Sequence, residues 1–69
     1  MKLSARNLLK GKVSKITLGA VNAEVELELS GGQNIVSIIT INSVKNLRLE
    51  VGKEAYAMIK ASSVMIAVD

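Results

Sequence analysis

From Val21 to Leu29 the chain alternates apolar and polar positions. Val21, Ala23, Val25, Leu27 and Leu29 fall on one side, and Asn22, Glu24, Glu26 and Glu28 on the other. A period of two predicts a half-buried β-strand, because successive side chains point to opposite faces. Three glutamates along one strand face repel one another, so a neighbouring strand should set cations across from them. Lys12 and Lys15 are placed for that role in the preceding segment, Lys10 to Leu18. That segment reads as the first long strand, with Val13 and Ile16 as its core residues, and Gly19-Ala20 turns it into the second.

Ser30-Gly31-Gly32-Gln33 predicts a hairpin turn, since paired glycines accept positive φ without strain. Asn34 to Ile41, "NIVSIITI", is dense in β-branched residues and does not alternate strictly. Its adjacent Ile38 and Ile39 predict burial on both faces, one against the core and one against a partner chain. Asn42 to Leu49 breaks the rhythm and predicts one short helix capped by Asn42 or Ser43. Val51-Gly52-Lys53 is a turn, Glu54 to Lys60 a fourth strand, Ala61-Ser62-Ser63 a polar break and Val64 to Val68 a fifth strand. Five strands with one short helical segment describe an all-β, OB-like small barrel in a single domain over residues 1–69.

Size sharpens this picture. A domain near 69 residues buries only roughly 60% of the surface that its unfolded chain exposes. The sequence has one aromatic residue, Tyr56, and no Cys or His. Val, Ile, Leu, Ala and Met must therefore build the core, with no disulfide to staple it. An apolar chain so short of staples predicts a homo-oligomer. The start Met-Lys-Leu-Ser lacks the apolar run of a signal peptide, and no stretch approaches the roughly 20 residues of a membrane span. The expected setting is cytoplasmic, with no membrane partner. A net charge of +3 favours anionic ligands only weakly.

The chemistry on offer is binding rather than catalysis. Three of the six carboxylates line one strand face, and the others flank turns or end the chain, so no cleft acid or base is suggested. No carboxylate cluster suits a hard cation, and Gly31-Gly32 lacks the residues of a phosphate loop. Single-stranded nucleic acid, a common OB-barrel ligand, is usually stacked on aromatic side chains, and one tyrosine does not provide that platform. Donors, in contrast, gather at predicted strand ends: Ser4 and Arg6 before the first strand, Thr40 and Ser43 after the third, Lys60 and Ser62 after the fourth. Asn7 is read as a turn cap. Hydroxyls with one guanidinium and one ammonium form a shell for a small anion, and charge-assisted hydrogen bonds are the strong ones.

Three stretches, "SARNLLKGKV", "ITINSV" at 39–44 and "MIKASSVMIAV" at 58–68, resemble the molbindins, the Mop family of small molybdate-binding proteins. The similarity runs over essentially the whole chain. It implies OB-like subunits assembled as a hexamer, a trimer of dimers, that stores molybdate and accepts tungstate, with no cofactor and no direct protein–metal ligand. It implies an oxyanion pocket between subunits that draws on Ser4, Ala5, Arg6, Lys60, Ala61 and Ser62 of one chain and on Thr40 and Ser43 of another. Members often carry a hydroxyl residue straight after the lysine; Ala61 stands there here, and Ser62 is the available substitute. A second kind of site uses the turn Gly19, Ala20, Val21 and Asn22 on a symmetry axis. The competing expectations are an OB module for single-stranded nucleic acid and a purely structural assembly domain.

Overall fold

The computed structural model describes residues 4–69. Four antiparallel strands form one sheet: β1 (Asn7–Leu18), β2 (Asn22–Leu29), β3 (Asn34–Thr40) and β4 (Glu54–Ile59), in the order β3-β2-β1-β4. One short helix, α1 (Ile41–Asn46), joins β3 to β4, and Ala61–Ser63 form a single 3₁₀ turn after β4. The all-β, OB-like class with one helical segment holds.

The first strand organises the sheet because it serves two neighbours. Its first half, Asn7 to Lys12, pairs with β4, while Gly11 to Leu18 pairs with β2. Both ladders meet at Gly11, opposite Leu29 on one side and Ala55 on the other. There a side chain has no room, since a Cβ on Gly11 would lie 2.7 Å from the Glu28 carbonyl oxygen. Two residues further on, the register slips between Val13 and Lys15, leaving Ser14 as the extra residue of a β-bulge. The Ser14 hydroxyl donates to the Glu26 carbonyl at 3.2 Å. This bulge explains why Val13 and Ile16, three positions apart, both face the core: without it, period two would turn one of them outward.

The core is Val13, Ala23, Val25, Leu27 and Val44, with Ile16, Ile35, Ile39, Ile41, Leu49, Ala55 and Ala57 packed against it. Val25 and Leu27 confirm the alternation read in β2. On the outer face, Lys12 stands opposite Glu28 and Lys15 opposite Glu26, as the repulsion argument required. Among the described residues, the one ion pair joins Lys10 Nζ to Glu54 Oε2 at 3.4 Å. The hairpin falls at Ser30–Gln33, with Gly32 at φ 83° and the Leu29 N–H donating to the Gln33 carbonyl.

Several expectations need correction. The first strand begins at Asn7 rather than Lys10, and the second begins at Asn22, leaving Val21 exposed in the turn. The fourth ends at Ile59. The helix spans six residues rather than Asn42 to Leu49, because Arg48 takes φ 53° and breaks it. Its cap is Thr40 rather than Asn42 or Ser43. Ile39 is half-buried against the core, and Ile38, on the opposite face, is 69% exposed within the single chain. Among the described residues there is no fifth strand. Val64 to Val68 has the composition of one, yet no strand of its own chain lies beside it to complete a ladder. Met65, Ile66 and Val68 are each about nine-tenths exposed.

Gly11→Ala should cost about 1–3 kcal/mol of stability, since the new methyl must push β1 away from the β2 backbone. Denaturant titration of the variant against the unaltered chain checks this.

Candidate functional site

The donor residues divide between the two ends of the sheet. At one end β1 starts and β4 finishes, with Asn7 opposite Ile59 as the last pair of their ladder. Arg6 directly precedes Asn7 and Lys60 directly follows Ile59, so both cations leave the sheet at this end. Arg6, Lys60 and Ser4 are all exposed, and Ala5 is half-buried. Neither cation has a carboxylate partner among the described residues. The Asn7 amide donates to the Ile59 carbonyl at 3.2 Å and fastens this corner.

The 3₁₀ turn follows directly. Its closing bonds run from the Ser63 N–H to the Lys60 carbonyl at 2.8 Å and from the Val64 N–H to the Ala61 carbonyl at 3.3 Å. A helical turn leaves its first N–H groups without internal acceptors. Those of Ala61 and Ser62 have no partner among the described residues. Ala61 thus keeps a donor although it lacks a hydroxyl. The corner gathers a guanidinium, an ammonium, two side-chain hydroxyls and backbone N–H groups, with no carboxylate among them.

Thr40 and Ser43 lie elsewhere. Thr40 pairs with Asn22, and Asn22 adjoins the pair of Leu18 with Ala23, so Thr40 stands at the far end of β1 from Arg6. Eleven steps of about 3.3 Å separate the ends of that strand, or roughly 36 Å if straight. The longest dimension of the molecule is 35 Å. A hydrogen bond spans about 3 Å, so one anion does not touch both groups within a single chain.

At the far end the Thr40 Oγ1 accepts from the Ser43 N–H at 3.0 Å and donates to the Ser43 Oγ at 2.9 Å. Thr40 is thereby committed to starting α1, and the Ser43 hydroxyl proton is left over. The turn Gly19–Asn22 is brought beside this pair. The Ile41 N–H donates to the Val21 carbonyl at 2.9 Å, and the Gly19 N–H donates to the Asn22 carbonyl at 2.8 Å. The Gly19 N–H is thus engaged within the turn itself. Two hollows open elsewhere: about 590 Å³ around Gly11, Ser14 and Gly52, and about 250 Å³ between the inner faces of β3 and β4. None of the candidate anion-binding residues lines either one.

This OB-like sheet with cationic and hydroxyl donors at its ends matches a known family. Residues 3–66 match the TOBE domain model. A probable molybdenum-pterin-binding protein of Haemophilus influenzae is 56% identical over all 69 residues, which cover its whole length. Molybdenum-pterin-binding protein 3 of Clostridium pasteurianum is 48% identical over 96% of this chain and 97% of its own. The chain belongs to the TOBE domain family, in its Mop group of molybdenum-pterin-binding proteins.

Solved structures agree. MopII of Clostridium pasteurianum superposes with a TM-score of 0.91 at 48% identity, covering 97% of this chain and all of that one. A molybdate-binding protein from Sporomusa ovata gives 0.93 at 35% identity, over 99% of this chain and all of that one. The cytoplasmic molybdate-binding protein ModG, with molybdate bound, gives 0.92 at 52% identity; 94% of this chain covers 46% of that longer one. These relatives are named for what they bind.

Thr40→Val keeps the side-chain shape but removes the cap. It should lower stability by about 1 kcal/mol, read as a drop in the denaturation midpoint.

Proposed function

We propose that this chain binds molybdate, and tungstate likewise, as the intact oxyanion at seams between copies of itself, and that it serves intracellular molybdenum storage. It acts as a binder rather than a catalyst, in the cytoplasm. The observation that carries the reading is the sheet end closed by the Asn7–Ile59 pair, where Arg6 and Lys60 are the flanking residues and neither has a carboxylate partner among the described residues. Moving a dianion out of water costs several kcal/mol unless its oxygens receive donors and its charge is balanced. Arg6 and Lys60 supply two positive charges. Ser4, Ser62 and the backbone N–H groups of Ala5, Ala61 and Ser62 supply further donors. The names of the Mop relatives and the molybdate in ModG support the identity of the anion.

Thr40 and Ser43 join this shell from a second copy, because the sheet holds them at the far end of their own chain. A second copy also accounts for the tail. Met65, Ile66 and Val68 are exposed, while the hollow of about 250 Å³ between β3 and β4 is lined by Leu27, Ile35, Ile39, Leu49, Ala57 and Ile59. Each of those strands has one unpaired edge, and an unpaired edge invites another strand. The tail of one copy completes the barrel of the next, within a homo-oligomer of hexameric, trimer-of-dimers form. A nucleic-acid ligand would meet Glu24, Glu26 and Glu28 on the outer face of β2 and find a single aromatic residue.

Calorimetry of the purified chain should show micromolar or tighter binding of molybdate and tungstate. It should show none of monohydrogen phosphate, whose O–H lacks a carboxylate acceptor in the donor set. Arg6→Ala and Lys60→Ala should each weaken molybdate binding at least tenfold, the range for hydrogen bonds to charged groups. Absence of molybdate binding to the unaltered chain sinks the proposal.

The assembly has its own test. Light scattering at micromolar concentration should report an oligomer, and Ile66→Glu should reduce its mass. An unaltered chain that scatters as a monomer would contradict the shared site.

A further inference from the structure

We infer that Asn7 is a positioning residue for the anion corner: its amide holds the two cationic arms in a fixed relation before any ligand arrives. The inference rests on the reading of that corner as an oxyanion site. Asparagine is depleted in strands, yet it occupies the first position of β1. There its side chain is half-buried and donates across 52 residues of sequence to the Ile59 carbonyl at 3.2 Å. Asn7 is covalently next to Arg6, and Ile59 is covalently next to Lys60. One hydrogen bond therefore ties the two peptides from which the cations spring.

The tie opposes splaying. Before the anion binds, Arg6 and Lys60 are like charges carried just beyond the last pair of the ladder, at the open end where backbone pairing is weakest and splaying is easiest. A corner that splays must be drawn together again on binding, and that reordering subtracts from affinity. The Asn7 amide removes part of this cost in advance. A leucine at position 7 would fill similar space with no donor.

The test combines Asn7→Ala and Asn7→Leu with Lys60→Ala, using sodium molybdate calorimetry and amide hydrogen exchange on the anion-free protein. Each Asn7 variant should weaken molybdate binding about three- to tenfold, the worth of one hydrogen bond, and should speed exchange at residues 58–61. In the Lys60→Ala background, Asn7→Ala should add little further loss, because one of the arms it positions is gone.

Unchanged affinity, or unchanged exchange at 58–61, overturns the inference. So does a loss that adds in full to that of Lys60→Ala, since Asn7 would then touch the anion itself. If the unaltered chain binds no molybdate, the corner reading falls and this inference with it. An effect missing only from the Asn7 variants overturns the inference alone.

Discussion

One strand pairing with two neighbours shapes everything else in this chain. β1 hands over from β4 to β2 at Gly11, where only a hydrogen fits against the Glu28 carbonyl. That crossover curls the sheet and leaves β3 and β4 as its two edges. It also sets the start of β1 beside the end of β4 and the end of β1 beside the turn into β2. The donors inherit this division: the cations sit at one extremity and the hydroxyl pair at the other. The way the strands are joined therefore keeps the two donor groups apart within one chain.

Charge placement reinforces the division. On the outer face the lysines of β1 are matched to glutamates in register, so that face is close to neutral. Arg6 and Lys60 stay outside this balance. Two positive charges without a carboxylate partner among the described residues thus stand at the end of the sheet where Ser62 and the N–H groups of the 3₁₀ turn also lie.

Much of the fold was legible because period two is a strong signal. Ala23, Val25 and Leu27 declared their strand, and Glu24, Glu26 and Glu28 required cations that Lys12 and Lys15 provide. The Ser14 bulge was hidden, since an unpaired residue in a strand has no compositional mark; only the spacing of Val13 and Ile16 hinted at it. The missing fifth strand has a different cause. Val64 to Val68 carries a strand's composition, but a strand also needs a neighbour, and composition does not say on which chain that neighbour lies. At the candidate site, residue types pointed to Arg6, Lys60 and the hydroxyls. The commitment of the Gly19 N–H to Asn22 and the reach of Asn7 to Ile59 depend on three-dimensional pairing that spacing alone does not reveal.

The bulge at Ser14 has a consequence for how this chain tolerates change in length. Upstream of it the inward positions of β1 are odd-numbered, as with Leu9, Gly11 and Val13; downstream Ile16 restores inward facing on an even number. Ser14 thus works as a phase shifter between two halves of opposite parity. With the bulge kept, removing one residue from Gly11 to Val13, or removing Lys15, would invert one half of the strand and turn a lysine or threonine inward, whereas removing Ser14 would restore strict alternation with both halves facing as before. A one-residue change of length in β1 is therefore costly everywhere but at Ser14, whereas a substitution leaves the phase intact.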